Sequence, residues 1–139
     1  MRMLGLDLGL RRVGVAVSDP DGTVASPLCQ FEPGGRSDLV ETVARIVAEQ
    51  EARRVVVGHP LLLDGTPGEQ VRRTEAVVQA LREALPVPVT VWDERFSTQD
   101  AEAALRRGSL RPDRRKARRD MVAAALILQA YLDADAPMP

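Results

Sequence analysis

A carboxylate within an apolar strand is the feature that most restricts how this chain can fold. Asp7 lies in residues 3–9, whose other members are methionine, leucine and glycine. A short apolar run bounded by glycine is typical of a buried strand. A buried carboxylate without a partner is costly, so such groups are paired, protonated or bound to a metal ion. Because aspartate in mid-strand has little structural use, we interpret Asp7 as a functional residue.

The pattern of residues around this strand predicts an α/β fold. Two more strands are expected nearby, with turns at residues 9–12 and 21–22 completing an antiparallel meander. Apolar periodicity, short apolar runs and capping residues then predict helices alternating with two further strands. The predicted strands are 3–8, 13–18, 24–31, 53–58 and 86–92, and the predicted helices are 38–51, 66–85, 97–107 and 120–132. This order predicts a mixed five-stranded sheet, three antiparallel strands plus two parallel ones, with helices on both faces.

Length and composition indicate one ordinary globular domain covering residues 1–139. Of the residues, 45% are hydrophobic and 28% are charged, as in soluble proteins. The one cysteine, Cys29, allows no intrachain disulfide, and residues 134–139 are expected to be a frayed tail. With neither a signal-peptide pattern nor an apolar run long enough to cross a bilayer, the chain is expected to be cytoplasmic and not to involve a membrane.

Three more acids lie where open α/β sheets place their ligand sites. Asp93 and Glu94 follow a predicted buried strand, and Asp120 opens a predicted buried helix. Side chains alternate along a strand, so only one of Asp93 and Glu94 can join Asp7. Converging carboxylates repel one another unless cations hold them, and Mg²⁺ or Mn²⁺ suits oxygen ligands. Each acid also has a structural alternative: Asp120 as a helix cap, Glu94 as a surface residue, Asp93 as a turn acceptor.

Basic residues are concentrated between residues 106 and 119, where Asp113 is the one acid. Arginine offers a planar fork to phosphate oxygens, so this segment is expected to contact nucleic acid. The alternative is a solvated basic run, since all but one of the basic residues in the chain are arginine. The residues assigned to nucleic-acid binding are Arg11, Arg12, Arg95, Arg111, Arg114, Arg115, Lys116, Arg118 and Arg119.

Five segments together resemble the YqgF family, also called RuvX. They are residues 5–9, 12–19, 57–60 with 64–65, 93–98 and 120–124, in the family's order and spacing. The resemblance implies a ribonuclease H-like fold, similar to that of Holliday junction resolvases. It implies a nuclease that processes the 5′ end of pre-16S ribosomal RNA, and resolvase-like activity on branched DNA is also attributed to the family.

The resemblance also implies roles for single residues. Asp7 matches the acid of the first strand, Glu94 the acid after the later strand, and Asp120 the acid opening the last helix. Asp93 matches the neighbouring motif acid and is a further candidate metal ligand. The chain departs from the family at His59, where an apolar residue is usual, and at residues 96–97, where Phe-Ser replaces Leu-Thr.

The expected mechanism is hydrolysis of a phosphodiester with one or two Mg²⁺ or Mn²⁺ ions. Asp7 would bridge two ions while Glu94 and Asp120 hold one each. His59, the only histidine, is either a general acid or base or a residue of the loop at 59–65. Precursor ribosomal RNA, branched DNA and single-stranded DNA stay open as substrates, and a homodimer would suit a two-stranded one.

Two other classes of function stay open. The first is a nucleic-acid-binding assembly factor that does not cleave, which metal-dependent turnover would distinguish. The second follows from residues 7–9, which also resemble the phosphate loop of actin-like ATPases and sugar kinases. Those enzymes need two such domains, whereas this chain supplies one.

Overall fold

The computed structural model describes residues 2–59, 68–93 and 119–135. The described elements are β1 (Arg2–Leu8), β2 (Val13–Ser18), β3 (Ala25–Phe31), α1 (Arg36–Gln50), β4 (Ala52–His59), α2 (Gly68–Ala84), β5 (Val89–Asp93) and α3 (Arg119–Asp135). The strands form one sheet in the order β3-β2-β1-β4-β5. Strand β2 pairs antiparallel with β1 and β3, whereas β4 pairs parallel with β1 and β5. The predicted mixed five-stranded sheet is confirmed.

Helices α1 and α2 cover one face of the sheet. The leucines of β1 point to this face, because residues 4, 6 and 8 share one side of an alternating strand. Helix α1 meets them with buried side chains spaced three to four residues apart, at Leu39, Val43 and Ile46. Strand β4 adds Val55 and Val57 to the same core.

Helix α3 covers the opposite face. Its residues are apolar nearly all round, as predicted for a buried helix, and Ala124 and Leu128 are fully buried. They cross β1 at Gly5, where an added Cβ would lie 2.7 Å from the Cβ of Leu128 and 2.9 Å from the carbonyl oxygen of Ala124. Glycine is therefore required at this crossing for the helix to approach the sheet so closely.

Hydrogen bonds of Gln129 show which way α3 runs. Its Oε1 accepts from the Ala25 N–H at 2.8 Å, and its Nε2 donates to the Thr23 carbonyl at 3.0 Å. Ala25 pairs with Ser18, whose Oγ accepts from the Met3 N–H near the start of β1. Because the later part of α3 lies near the start of β1, its first turn lies toward the end of β1.

Some predicted boundaries are wrong. His59 is the last residue of β4, paired with Asp93 and 3% exposed, where a loop was expected. The residue before a proline favours extended backbone, which continues the strand to this point. Strand β5 begins at Val89 because prolines 86 and 88 have no N–H to donate to the ladder. Helix α3 continues to Asp135, into the segment expected to be frayed.

Other predictions fall on residues that the structure does not describe. These are the loop at 60–65, the start of the second helix at 66–67 and the helix at 97–107. Among the described helices, none has the length and apolar character needed to cross a membrane.

Candidate active site

Asp7 lies on the α3 face, near the end of β1. Alternation places it on the same side as Gly5, which contacts α3. In β2, the residue paired with Asp7 is Gly14. On the other side of β1, Leu6 pairs with Val57 of β4, so the next residue of β4, Gly58, lies beside Asp7. Neither flanking residue carries a side chain. Asp7 is half-buried and lies at the carboxyl end of the central strand, where parallel strands present ligand sites.

Helix α3 brings Asp120 toward the same edge. Asp120 is the second residue of the helix, one turn before Ala124 and on the same helix face. Since Ala124 packs over Gly5 and the first turn of α3 lies toward the end of β1, the backbone at Asp120 is directed to the Asp7 end of the sheet. The side chain of Asp120 lies outside the described part of the structure.

Asp93 lies on the opposite face from Asp7. The preceding residue, Trp92, makes an edge-to-face contact with Tyr131 of α3, with ring centroids 5.7 Å apart. Alternation then points Asp93 to the α1 and α2 side, where it is 8% exposed. Glu94, the alternative partner of Asp7, lies outside the described residues. Only Glu94 of this neighbouring pair is left to join Asp7.

His59 is also on the face away from Asp7. It shares that face with Val55 and Val57, and its Nε2 lies 3.7 Å from Oε1 of Glu75 on α2. Its Nδ1 is buried, and no described residue forms a hydrogen bond with it. The sheet separates His59 from Asp7, so the geometry does not favour His59 as the acid or base of an Asp7 site.

The arginines of the β1–β2 turn lie close to Asp7 along the chain. Arg11 and Arg12 are exposed, and the Gly9 N–H closes the turn by donating to the Arg12 carbonyl at 2.9 Å. Of the other assigned basic residues, Arg119 begins α3 and its backbone is described. The rest lie outside the described part of the chain: Arg95, Arg111, Arg114, Arg115, Lys116 and Arg118.

The carboxylates suit a hard divalent ion, because oxygen ligands are what Mg²⁺ and Mn²⁺ prefer. Within residues 2–59, 68–93 and 121–134, where side chains are described, no three acidic, histidine or cysteine side chains form a metal-binding group. Asp7 is the one member of the expected trio whose side chain is described. It pairs with Gly14 of β2, and Gly58 of β4 lies on its other side, so no side chain of either neighbouring residue comes between Asp7 and a ligand.

Comparisons with known proteins show the family of this chain. Residues 1–134 match a family model described as "RuvX: Holliday junction resolvase". A Chloroflexus aggregans protein named "Putative pre-16S rRNA nuclease" is 43% identical over 132 residues, covering 95% of this chain and 93% of the relative. A protein of the same name from Syntrophomonas wolfei is 41% identical over 133 residues, covering 96% of this chain and 94% of the relative.

Two solved structures share the fold. The chain is similar to Thermus thermophilus RuvC in complex with a Holliday junction substrate, with a TM-score of 0.69, 16% identity, and coverage of 99% of this chain and 97% of that one. It is also similar to the fowlpox virus resolvase bound to Holliday junction DNA, with a TM-score of 0.61, 10% identity, and coverage of 96% and 98%. The expected ribonuclease H-like, resolvase-type fold is confirmed.

Proposed function

The chain belongs to the RuvX family, and from this membership and the position of Asp7 we propose that it is a metal-dependent nuclease that hydrolyses phosphodiester bonds in nucleic acid. The observation that carries the proposal is a carboxylate held on the central strand, flanked by glycines, at the edge toward which α3 directs Asp120. A rigid strand is a suitable support for a catalytic group, because the reaction depends on placement.

Asp7, Glu94 and Asp120 would hold one or two Mg²⁺ or Mn²⁺ ions. Such ions lower the pKa of the attacking water and stabilise charge on the entering and leaving oxygens. Asp93 faces the other side of the sheet, which favours Glu94 as the ligand near β5. Asp7 would orient the ions against the scissile phosphate at the carboxyl end of the central strand, between Gly14 and Gly58.

The arginines would position the nucleic-acid strand. Arg11 and Arg12 are exposed at the turn that follows β1, so they can reach phosphates next to the one being cut. Contacts to phosphate fix the register of a strand without reading its bases. Arg95, Arg119 and the basic segment from 111 to 118 would extend this contact.

We propose the 5′ end of precursor 16S ribosomal RNA as the substrate. The name shared by the curated relatives supports this choice. Branched DNA is the second candidate, supported by the description of the family and by the fold shared with two resolvases. Residues 1–139 would act as a single nuclease domain in the cytoplasm, and a homodimer would suit a junction with two strands to cut.

The test is cleavage by the wild-type chain and Asp7→Asn. Labelled single-stranded RNA carrying a precursor 16S 5′ end, single-stranded DNA and a four-way DNA junction are each incubated with Mg²⁺, Mn²⁺ or EDTA. We expect metal-dependent cutting by wild type and its loss in Asp7→Asn, since the amide is neutral and a weaker metal ligand. The preferred substrate decides between RNA processing and junction cleavage.

Asp21→Asn is the matched control, because it makes the same change at an exposed turn residue. This variant should cut like wild type. Full activity in Asp7→Asn would contradict the site. Salt-sensitive binding without any cutting by wild type would contradict the nuclease and favour a non-catalytic assembly factor.

A further inference from the structure

A cleft of about 360 Å³ lies where the β1–β2 turn meets the first turn of α1 and the side of α2. Three arginines line it: Arg11 from the turn, Arg36 from α1 and Arg73 from α2. None of the described residues that line it is acidic. These arginines come from three separate elements, and Arg36 and Arg73 were not singled out by the sequence.

Arg73 carries the strongest evidence that the cleft has a ligand. Its Nη1 is buried and has no hydrogen-bond partner among the residues that the structure describes. A buried guanidinium nitrogen without an acceptor is costly, so an anion in the cleft would stabilise Arg73. Neither Arg36 nor Arg73 forms an ion pair with any described residue.

The start of α1 adds to the positive character of the cleft. Gly35 caps this helix without a side-chain hydrogen bond, and Gly34 and Gly35 both line the cleft. The first N–H groups of a helix are unpaired within it, and the helix dipole places positive charge there. Glycines before a helix let an anion approach the backbone closely.

Three nearby acids oppose an anion only weakly. Glu32 lies 3.9 Å from Arg11, and both side chains are mostly exposed, so this ion pair is weak. Asp38 accepts the Gly34 N–H at 2.8 Å through Oδ2, and the residue is exposed. Glu69 is exposed one turn before Arg73 on α2.

We propose that this cleft binds a phosphate of the same nucleic-acid strand that is cut at Asp7. The inference rests on the proposed function, since the strand bound in the cleft is the substrate of the proposed nuclease. Arg11 follows Asp7 by four residues, so the two lie within about 14 Å even on fully extended backbone. Leu10, which is 80% exposed, lines the same cleft and offers an apolar contact to a sugar or base.

The first test measures binding of a labelled RNA or DNA oligonucleotide by fluorescence anisotropy in the Asp7→Asn background. We expect Arg36→Gln and Arg73→Gln each to weaken binding about tenfold at low salt, the effect of one lost charge-assisted contact. Each should also lower the slope of log affinity against log salt by about 0.7 to 0.9. Arg45→Gln, an exposed arginine of α1 outside the cleft, is the control and should change neither quantity. Asp38→Asn should tighten binding.

The second test uses inorganic phosphate and the thermal midpoint, with chloride at equal ionic strength as reference. Phosphate should raise the midpoint of wild type more than that of Arg73→Met, because general stabilisation by the salt is common to both proteins and binding in the cleft adds to it in wild type alone. Wild-type oligonucleotide affinity in both Arg36→Gln and Arg73→Gln would overturn the proposal. A phosphate response in wild type with no loss of oligonucleotide affinity in the variants would assign the cleft to free phosphate and overturn it too.

The two proposals can fail separately. If wild type cuts nucleic acid while the arginine variants bind and cut equally well, the cleft has no role and the nuclease stands. If wild type cuts nothing while the arginine variants still lose affinity, the cleft stands as a nucleic-acid contact and the nuclease is wrong.

Discussion

Two aspartates near the start of the chain lie in different surroundings. Asp7 is flanked by glycines on the α3 face, and we propose it as a metal ligand. Asp19 instead closes the turn between β2 and β3, where its Oδ1 accepts the Thr23 N–H at 2.7 Å and the Val24 N–H at 2.9 Å. These bonds favour the charged form, so they lower the pKa of Asp19.

Asp19→Ala should therefore destabilise the fold near neutral pH. A lowered pKa in the folded state means that the contribution is present above the unfolded value of 3.8 and is lost as pH falls through the folded pKa. At pH 7 we expect wild type to have a higher urea midpoint than the variant. This gap between the two midpoints should disappear in acid. Urea titrations across this range measure it. Asp21→Ala, in the same turn, is the control, and a gap that stays constant into acid would contradict the assignment.

At the scale of elements, the crossing of α3 over β1 determines how the first turn of α3 lies relative to the carboxyl end of β1. The contact occurs at Gly5, where the helix backbone itself is a neighbour. Gln129 holds the other end of the crossing through its hydrogen bonds to Ala25 and Thr23. The approach of α3 depends on the absence of a side chain at one residue.

Gly5→Ala should destabilise the protein by about 1–3 kcal/mol, the usual range for an overpacked core. The added methyl would meet the Ala124 carbonyl oxygen at 2.9 Å and the Leu128 Cβ at 2.7 Å, and neither atom is the end of a flexible side chain. Thermal and urea unfolding measure the loss. Gly35→Ala is the control, since nothing lies within 4 Å of its added Cβ. Equal stability of the two variants would show that the crossing tolerates the methyl group.

At the scale of the whole molecule, the sheet separates two environments. The α3 face carries Asp7, whereas the face of α1 and α2 carries the buried His59 and Asp93. The proposed ion would join Asp7 of β1 to the segment after β5 and to α3, which are far apart in sequence. Metal binding should therefore stabilise the whole fold rather than one element.

We expect Mg²⁺ or Mn²⁺ to raise the thermal midpoint of wild type, and EDTA to reverse the rise. At a concentration one hundred times the dissociation constant, the gain in stability is about 2.7 kcal/mol. Asp7→Asn should lose most of the response, while Asp21→Asn should keep it. Calorimetry at constant ionic strength is the measurement. An equal rise in Asp7→Asn would place the ion elsewhere on the molecule.

Short-range patterns predicted most of the described elements and singled out Asp7 as a candidate functional residue. Strand β2 was predicted at 13–18 and observed at Val13–Ser18, because alternation and turn residues are local properties of the chain. The buried character of α3 followed in the same way from an apolar surface on all sides. The motifs also identified the family before any coordinates.

Tertiary structure decided which residues meet. Pairing of β4 with β5 made His59 a buried strand residue, and the Trp92 contact with Tyr131 placed Asp93 away from Asp7. Arg11, Arg36 and Arg73 line one cleft although they lie on three elements. No local pattern contains this information, because strand order and helix crossing depend on which apolar faces can be buried together.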